Sequence, residues 1–149
     1  MCKLGRLKIL KLIMSEFSVE FTVRDYELDM QGIVNNSVYQ NYLEHARHEY
    51  LHFHGIDFAD LTERGVILVV KNISMDFKNS LKSKDQFKVL VETYKEGHLK
   101  LVFKQTIINT SNNKVALSAL VTGVCLVNGR LVKPETINEI NRFLNRQQR

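Results

Sequence analysis

The stretch Asp29-Met30-Gln31-Gly32-Ile33-Val34-Asn35-Asn36-Ser37 leads directly into a segment with helical periodicity. Apolar side chains recur there at steps of three and four residues, on one face of a helix: Val38, Tyr39, Tyr42, Leu43, Ala46, Tyr50 and Phe53. Asparagine and serine cap helix N-termini, and glycine often follows helix ends. The sequence therefore predicts a helix that begins after Ser37 and stops before Gly55.

The loop before this helix combines a carboxylate with a glycine. A helix N-terminus presents unpaired N–H groups and partial positive charge, and it can hold a carbonyl oxygen that becomes an oxyanion. Asp29, a few residues upstream, could act beside that oxygen as a base or a nucleophile. The alternative is that Asp29 only caps the helix or closes a turn. The residues by themselves leave both interpretations open.

Alternating or β-branched apolar residues predict strands in most of the remaining chain. The pattern covers residues 17–24, 65–77, 86–94, 99–109 and 115–127, with a brief return at residues 131–132. Residues 57–63 fit a short helical or loop connection. Pro134 suits the first turn of a last helix, in which Ile137, Ile140 and Leu144 could dock.

Short turns separate the later strands, and Asn128-Gly129 is a strong hairpin signal. Consecutive strands joined by short turns must pair antiparallel. One long helix against one antiparallel sheet is an α+β arrangement. A sheet that curls around the helix would bury the helix's apolar face, which is the hotdog architecture.

The composition indicates one globular domain. The chain has 149 residues, of which 44% are hydrophobic and 25% charged. No apolar run has the length needed to cross a bilayer. Cys2 and Cys125 cannot form a disulfide framework, so we expect a reducing, cytoplasmic location. The net charge of +5 is mild and comes without an arginine-rich helix, so we expect no nucleic-acid partner.

Residues 1–14 differ from the rest, because regularly spaced cations interrupt their leucines and isoleucines. They could form a basic amphipathic helix, or Met14 could be the true start of the protein. We expect this extension to lie outside the fold and residues 15–149 to form a single hotdog domain.

The motif Asp29-x-x-Gly32-x-Val34, followed by Tyr39-x-x-Tyr42-x-Glu44-x-Ala46-Arg47, resembles the 4-hydroxybenzoyl-CoA thioesterase family of hotdog proteins. The longer string of residues 23–49 is most similar to the single-hotdog acyl-acyl carrier protein thioesterases of plants and their bacterial relatives. This resemblance implies hydrolysis of an acyl-CoA or acyl-acyl carrier protein thioester. It implies that Asp29 is the catalytic carboxylate and that the backbone N–H near Asn36 holds the carbonyl.

The resemblance also gives Gly32, Tyr39 and Glu44 roles in positioning the substrate. Glu44 could instead only pair with Arg47 on the helix surface, since the two are three residues apart. Many bacterial acyl-CoA members of the family carry histidine where this chain has Asn36. Asparagine cannot shuttle a proton, so we expect no histidine-assisted mechanism, and the identity of the carrier stays open.

Other constellations give weaker signals. His45, His48 and His52 share a helix face with a spacing that can bind metal, but no further cluster completes a site. We expect a solvated polar face there, with neither metal nor cofactor. Two rival functions use the same fold: a non-catalytic module that binds acyl thioesters, and a hydratase or dehydratase. The latter would need a histidine with a carboxylate across the site.

The expected partners are the thioester substrate and further copies of the chain. Several cations flank the second and third strands, where they could meet the phosphates of CoA or phosphopantetheine: Arg64, Lys71, Lys78, Lys82 and Lys84. Of these, Lys82 and Lys84 are the candidates for carrier binding. The edge strand has unpaired backbone groups, and the outer face of the sheet is exposed, so both can be buried by another copy of the chain. We therefore expect a homodimer as the minimal active unit and a dimer of dimers as the final state.

Overall fold

A computed structural model describes residues 17–147, and the predicted extension of residues 1–14 lies outside the described residues. Its strands are β1 (Ser18–Thr22), β2 (Val66–Phe77), β3 (Gln86–Glu96), β4 (Lys100–Asn109), β5 (Lys114–Val127) and β6 (Arg130–Val132). Its helices are α1 (Val38–Phe53), α2 (Phe58–Glu63) and α3 (Asn138–Gln147). Two short 3₁₀ turns, Asp25–Glu27 and Pro134–Thr136, complete the structure of this part of the chain.

The strands form one antiparallel sheet in the order β1-β3-β4-β5-β2, and β6 pairs with the end of β5. Alternate residues of β3, β4 and β5 point to one face, where α1 packs against them. Leu101, Phe103 and Ile107 of β4 are examples, each 5% exposed or less. The predicted α+β hotdog architecture is therefore confirmed.

The core forms where α1 meets the concave face of the sheet. Tyr39, Tyr42, Leu43, Ala46 and Tyr50 of the predicted apolar face are all buried. Burial of each large apolar side chain stabilises the fold by about 1.5–3 kcal/mol. This packing, rather than intrinsic helix propensity, holds α1 in place.

Three details of the elements differ from the expectation. Phe53 is 70% exposed at the last turn of α1, where its ring contacts the rings of Phe17 and His54. The first strand ends at Thr22, because the chain turns into a 3₁₀ segment at Asp25. Pro134 begins a separate 3₁₀ turn, so Ile137 docks just before α3 rather than within it.

β2 is an edge strand with an incompletely covered surface. Ile67, Val69, Val70 and Phe77 are each at least 39% exposed. The pairing of β2 with β5 shifts between Val70 and Asn72, which is a bulge. A long edge strand with exposed apolar residues is a surface on which another strand can pair. Among residues 17–147, no helix has the length and apolarity required to span a membrane.

Candidate active site

Asp29 lies in a tight loop between Leu28 and Val34, which pair with each other antiparallel. The backbone N–H of Asp29 donates to the Ile33 carbonyl at 2.8 Å, and the N–H of Gly32 donates to the Asp29 carbonyl at 3.1 Å. Gly32 has a φ of +78°, which side-chain-bearing residues rarely adopt. The loop therefore needs glycine at this position for its backbone conformation.

The Asp29 carboxylate takes part in the loop through one oxygen. Oδ1 accepts hydrogen bonds from the Gln31 N–H at 2.8 Å and from the Ile33 N–H at 3.4 Å, so Asp29 closes the turn of its own loop. No hydrogen bond to Oδ2 occurs among the described residues, and the side chain is half-buried. Asp29 thus has a fixed orientation and a second oxygen free to contact a substrate or a water molecule.

Asp29 does not cap α1, because among the described residues its Oδ1 accepts only from N–H groups of its own loop; the N-cap is Ser37, which makes no side-chain capping bond. Asn35 Oδ1 accepts from both the backbone N–H and the hydroxyl of Ser37, each at 3.0 Å. The Asn35 carbonyl accepts from the Val38 N–H at 3.0 Å. Asn36 is exposed, and its backbone N–H has no hydrogen-bond acceptor within residues 17–147. The start of α1 therefore presents an available donor together with the positive end of the helix dipole.

Three backbone contacts hold this loop in place. Val34 N–H donates to the Leu81 carbonyl at 2.9 Å, and Asn35 N–H donates to the Glu27 carbonyl at 3.0 Å. Ile33 forms a β-bridge with Lys82. Leu81 is completely buried, so the loop is anchored to the core through the turn between β2 and β3.

Tyr39 lies in the first turn of α1, close to this loop. It is 3% exposed, and its ring packs edge-on against those of Tyr42 and Phe77. Burial raises the pKa of the Tyr39 hydroxyl, and the negative charge of Asp29 raises it further, while a hydrogen bond with the Leu81 backbone opposes both. The structure therefore brings Tyr39 near Asp29 as a neutral phenol in the wall of the loop.

Glu44 is not brought to the same place. It is exposed and lies about 9 Å along the helix axis from Val38, at a rise of about 1.5 Å per residue. The expected surface pair of Glu44 with Arg47 is wrong, because Arg47 is 9% exposed and makes no ion pair among the described residues. The charge of Glu44 nevertheless affects Arg47. Burial lowers the pKa of Arg47, and the negative charge of Glu44 opposes that shift.

Three of the five candidate cations lie at opposite ends of β2. Lys82 and Lys84 are exposed in the turn that anchors the Asp29 loop. Arg64 lies just before the start of β2, at the end of that strand far from the Asp29 loop. It is ion-paired with Asp60 at 3.1 Å and with Glu139 at 2.6 Å. Since a strand of 12 residues spans roughly 40 Å, Arg64 is far from the loop.

The three helix histidines are exposed on the predicted polar face. The ring of His48 lies 4.8 Å from that of Phe58, and the ring of His45 lies 5.6 Å from that of Phe21. Within residues 17–147, no three histidine, cysteine, aspartate or glutamate side chains are grouped so that they could hold a metal ion.

The loop, the helix and most of the sheet fall within one recognised sequence family. The sequence model of the Thioesterase-like superfamily matches residues 23–143. The chain belongs to this superfamily. The predicted resemblance to hotdog thioesterases is thereby confirmed.

Two named relatives are similar to most of this chain. Acyl-acyl carrier protein thioesterase ATL3, chloroplastic, of Arabidopsis thaliana is 39% identical over 116 residues, which are 77% of this chain and 61% of that protein. Long-chain acyl-CoA thioesterase FadM of Escherichia coli strain K12 is 27% identical over 107 residues, or 72% of this chain and 80% of FadM. This chain therefore spans less than two thirds of the length of ATL3.

A solved structure supports the same fold. The 1,4-dihydroxy-2-naphthoyl-CoA thioesterase from Synechocystis has a TM-score of 0.81 and 15% sequence identity, over 91% of this chain and 99% of that one. At this identity the likeness shows the hotdog fold and nothing more specific.

Sequence reasoning missed two polar contacts of this superfamily member. Tyr42 donates to Glu27 Oε2 in the wall of a cleft of about 690 Å³ beside α1, and burial followed by this bond raises the Tyr42 pKa. Arg47 Nη1 donates to Gln105 Oε1 at 3.0 Å beneath the helix. Glu27 lies in the string of residues 23–49, but nothing there predicted its bond to Tyr42; Gln105 is one of two buried polar residues of β4, with Asn109.

Proposed function

We propose that this protein hydrolyses acyl thioesters at the Asp29 loop. The observation that carries the proposal is the pairing of an oriented carboxylate, with one oxygen free, and a helix start whose Asn36 N–H lacks an acceptor among the described residues. The names of the relatives ATL3 and FadM, both thioesterases, support the same reaction class. The alternative function, a module that only binds acyl thioesters, would require neither the free oxygen of Asp29 nor its orientation.

In the proposed reaction, the thioester carbonyl oxygen points at the N-terminus of α1. The Asn36 N–H and the positive end of the helix dipole stabilise the oxyanion as it forms. Asp29 either attacks the carbonyl carbon or removes a proton from the attacking water. The thiolate is a good leaving group, so the mechanism does not depend on a strong general acid. The Asn36 side chain cannot shuttle a proton and contributes only hydrogen bonding.

Gly32 and Tyr39 support this geometry from two sides. Gly32 allows the φ that closes the loop, and the buried Tyr39 lies close enough to Asp29 for the carboxylate charge to affect its pKa. Glu44 lies two turns along α1 and does not contact Asp29. We therefore propose Gly32 and Tyr39, rather than Glu44, as the residues that position the reacting groups.

The carrier is proposed to be CoA or acyl carrier protein, both of which end in a phosphopantetheine thiol. Lys82 and Lys84 extend from the turn that the Asp29 loop pairs with, and their charges suit the carrier's phosphates. We further propose that the active unit is a homodimer formed through the exposed edge of β2, and that two dimers associate. A cytoplasmic location stays a prediction.

The test is thiol release from a panel of acyl-CoA and acyl-acyl carrier protein substrates, with wild-type protein and Asp29→Asn. The asparagine keeps the Oδ1 acceptor for Gln31 but loses the charge. We expect kcat to fall by about 10²–10⁴-fold, the range for a positioned acid–base group, at a nearly unchanged melting temperature. Asp29→Glu should also lose about 10²-fold, since the extra methylene displaces the oxygens by about 1 Å.

The matched control is Asp25→Asn, because Asp25 is an exposed carboxylate just upstream whose Oδ1 accepts from the Ser83 hydroxyl. It should keep normal turnover. Near-normal turnover in folded Asp29→Asn would leave Asp29 as a turn-closing residue only. Wild-type protein that binds the substrates without releasing thiol would favour the binding module.

A further inference from the structure

Glu27 is hydrogen-bonded to three separate segments around the Asp29 loop. Its carboxylate Oε2 accepts from the Tyr42 hydroxyl and also from the Arg24 backbone N–H, the latter at 2.9 Å. Its backbone carbonyl accepts from the Asn35 N–H at 3.0 Å. One residue therefore joins the 3₁₀ turn before the loop, the second turn of α1 and the residue that follows the loop.

The bond to Asn35 bears on the oxyanion donor because of peptide geometry. In a trans peptide group the C=O and the N–H are coplanar and point in opposite directions, so the Asn35 carbonyl fixes the direction of the Asn36 N–H. That carbonyl accepts from the Val38 N–H at 3.0 Å, while the Asn35 N–H is held by Glu27. The peptide group that carries the Asn36 N–H is therefore held by the helix at its carbonyl and by Glu27 one peptide group earlier.

The carboxylate of Glu27 is attached to the core through Tyr42. The Tyr42 side chain is 4% exposed, and its ring centroid lies 4.8 Å from that of Phe87 and 5.4 Å from that of Phe21. Burial, followed by the bond to Glu27, raises the Tyr42 pKa, so the hydroxyl stays protonated and donates. A close-packed ring keeps one rotamer, so its hydroxyl is a rigid anchor for the carboxylate.

We propose that Glu27 is a positioning residue for the reaction, because it transmits the rigid position of Tyr42 to the Asn36 N–H that stabilises the oxyanion. This proposal rests on the proposed hydrolysis at the Asp29 loop, and it adds a residue that acts through the backbone of Asn35. An oxyanion donor is effective only when it points at the oxygen of the transition state. Loss of the anchor should therefore lower kcat and leave KM nearly unchanged. A residue that only closed the 3₁₀ turn would affect stability alone.

Tyr42→Phe removes the donor of this contact and keeps the packed ring. We expect kcat for thiol release to fall by about 10–100-fold, which is less than complete loss of an oxyanion donor would cause, with KM within about twofold. Glu27→Ala should lower kcat by a similar factor, and the double variant should have no lower kcat than Glu27→Ala, since both changes remove one contact. Glu27→Gln should keep kcat within about threefold of the wild type, because both bonds use Oε2 and an amide oxygen can accept in its place.

The matched control is Tyr26→Phe, which removes another hydroxyl from the same turn. The Tyr26 hydroxyl accepts from Arg24 Nη1, and this residue is 74% exposed. The control should keep normal kcat and KM. Amide hydrogen exchange gives a readout that needs no turnover. Tyr42→Phe should accelerate exchange at the Asn35 N–H by at least about tenfold more than at the amides of β4, and Tyr26→Phe should not.

Three outcomes would overturn this role and leave hydrolysis at the Asp29 loop intact. They are normal kcat in folded Tyr42→Phe, Glu27→Gln as impaired as Glu27→Ala, and an equal fall of kcat in Tyr26→Phe. A lower kcat in Tyr42→Phe with unchanged exchange at Asn35 would also overturn it. Wild-type protein that releases no thiol would instead refute the proposed function, and this role for Glu27 with it.

Discussion

The contact between Arg47 and Gln105 can be tested by a double-mutant cycle in stability. Gln105→Leu removes the hydrogen bonds to Arg47 and to the Leu43 carbonyl, and it leaves a buried guanidinium unpaired. Stranding one partner of a buried charged contact costs about 3–5 kcal/mol. Arg47→Met removes the charge and leaves the buried amide of Gln105 with one bond fewer, at a cost of about 1–3 kcal/mol.

The two changes made together should cost less than their sum. Apolar side chains of similar volume then face each other, and no charge or amide is left without a partner. An additive double variant would lose about 4–8 kcal/mol by the same figures, whereas we expect a coupling of at least about 2 kcal/mol. For a chain of this length, about 2–4 °C of melting temperature corresponds to each kcal/mol, so Gln105→Leu should lower Tm by about 6–20 °C.

The measurement is urea unfolding of the wild type, both single variants and the double variant, at one protein concentration. The slope of the free energy against urea must stay constant for the comparison to hold. Additivity within about 0.5 kcal/mol would refute the reasoning, because it would mean that the Arg47 guanidinium is solvated and does not rely on Gln105.

Three further predictions concern the loop, the carrier and the assembly. Gly32→Ala should lower the free energy of unfolding by about 1–2 kcal/mol, because the added Cβ meets nothing within 4 Å and only the φ of +78° is strained. The same change should lower kcat at least about tenfold, because the altered loop no longer orients Asp29. Neutralising Lys82 and Lys84 together should raise KM and make it less salt-sensitive, with kcat little changed in steady-state assays. Val70→Lys places a charge on the exposed β2 edge and should reduce the assembly to monomers in sedimentation, with loss of activity.

Each of these has a control within the chain. Gly55→Ala faces the same strain, with a φ of +83° and no neighbour within 4 Å, and should lower Tm without lowering kcat. Lys104→Gln removes a cation from an exposed position on β4 and should leave KM unchanged. Leu120→Lys charges the outer face of the inner strand β5 and should separate dimers without producing monomers. A fully active monomer of the wild type would contradict the assembly prediction.

The sequence alone determined the elements and the place of the proposed chemistry. Periodicity of 3.6 residues in α1 and of two in the strands follows from local backbone geometry, so it can be read without tertiary contacts. The Asp29 motif lies in one contiguous stretch, which is why its spacing was visible. The run of capping residue types before α1 was also visible, because helix starts are local requirements, whereas the positive φ of Gly32 was found only in the structure.

The tertiary structure decided which side chains meet across the chain. Arg47 and Gln105 are 58 residues apart and become partners only because β4 crosses beneath α1. Glu44 matched the motif, yet it lies about 9 Å along the helix axis from Val38 and makes no hydrogen bond to Asp29. Lys82 came beside the loop through its bridge to Ile33, whereas Arg64 was placed at the opposite end of β2. Contacts between distant segments depend on register and packing, and these are set by the whole core at once rather than by any one stretch.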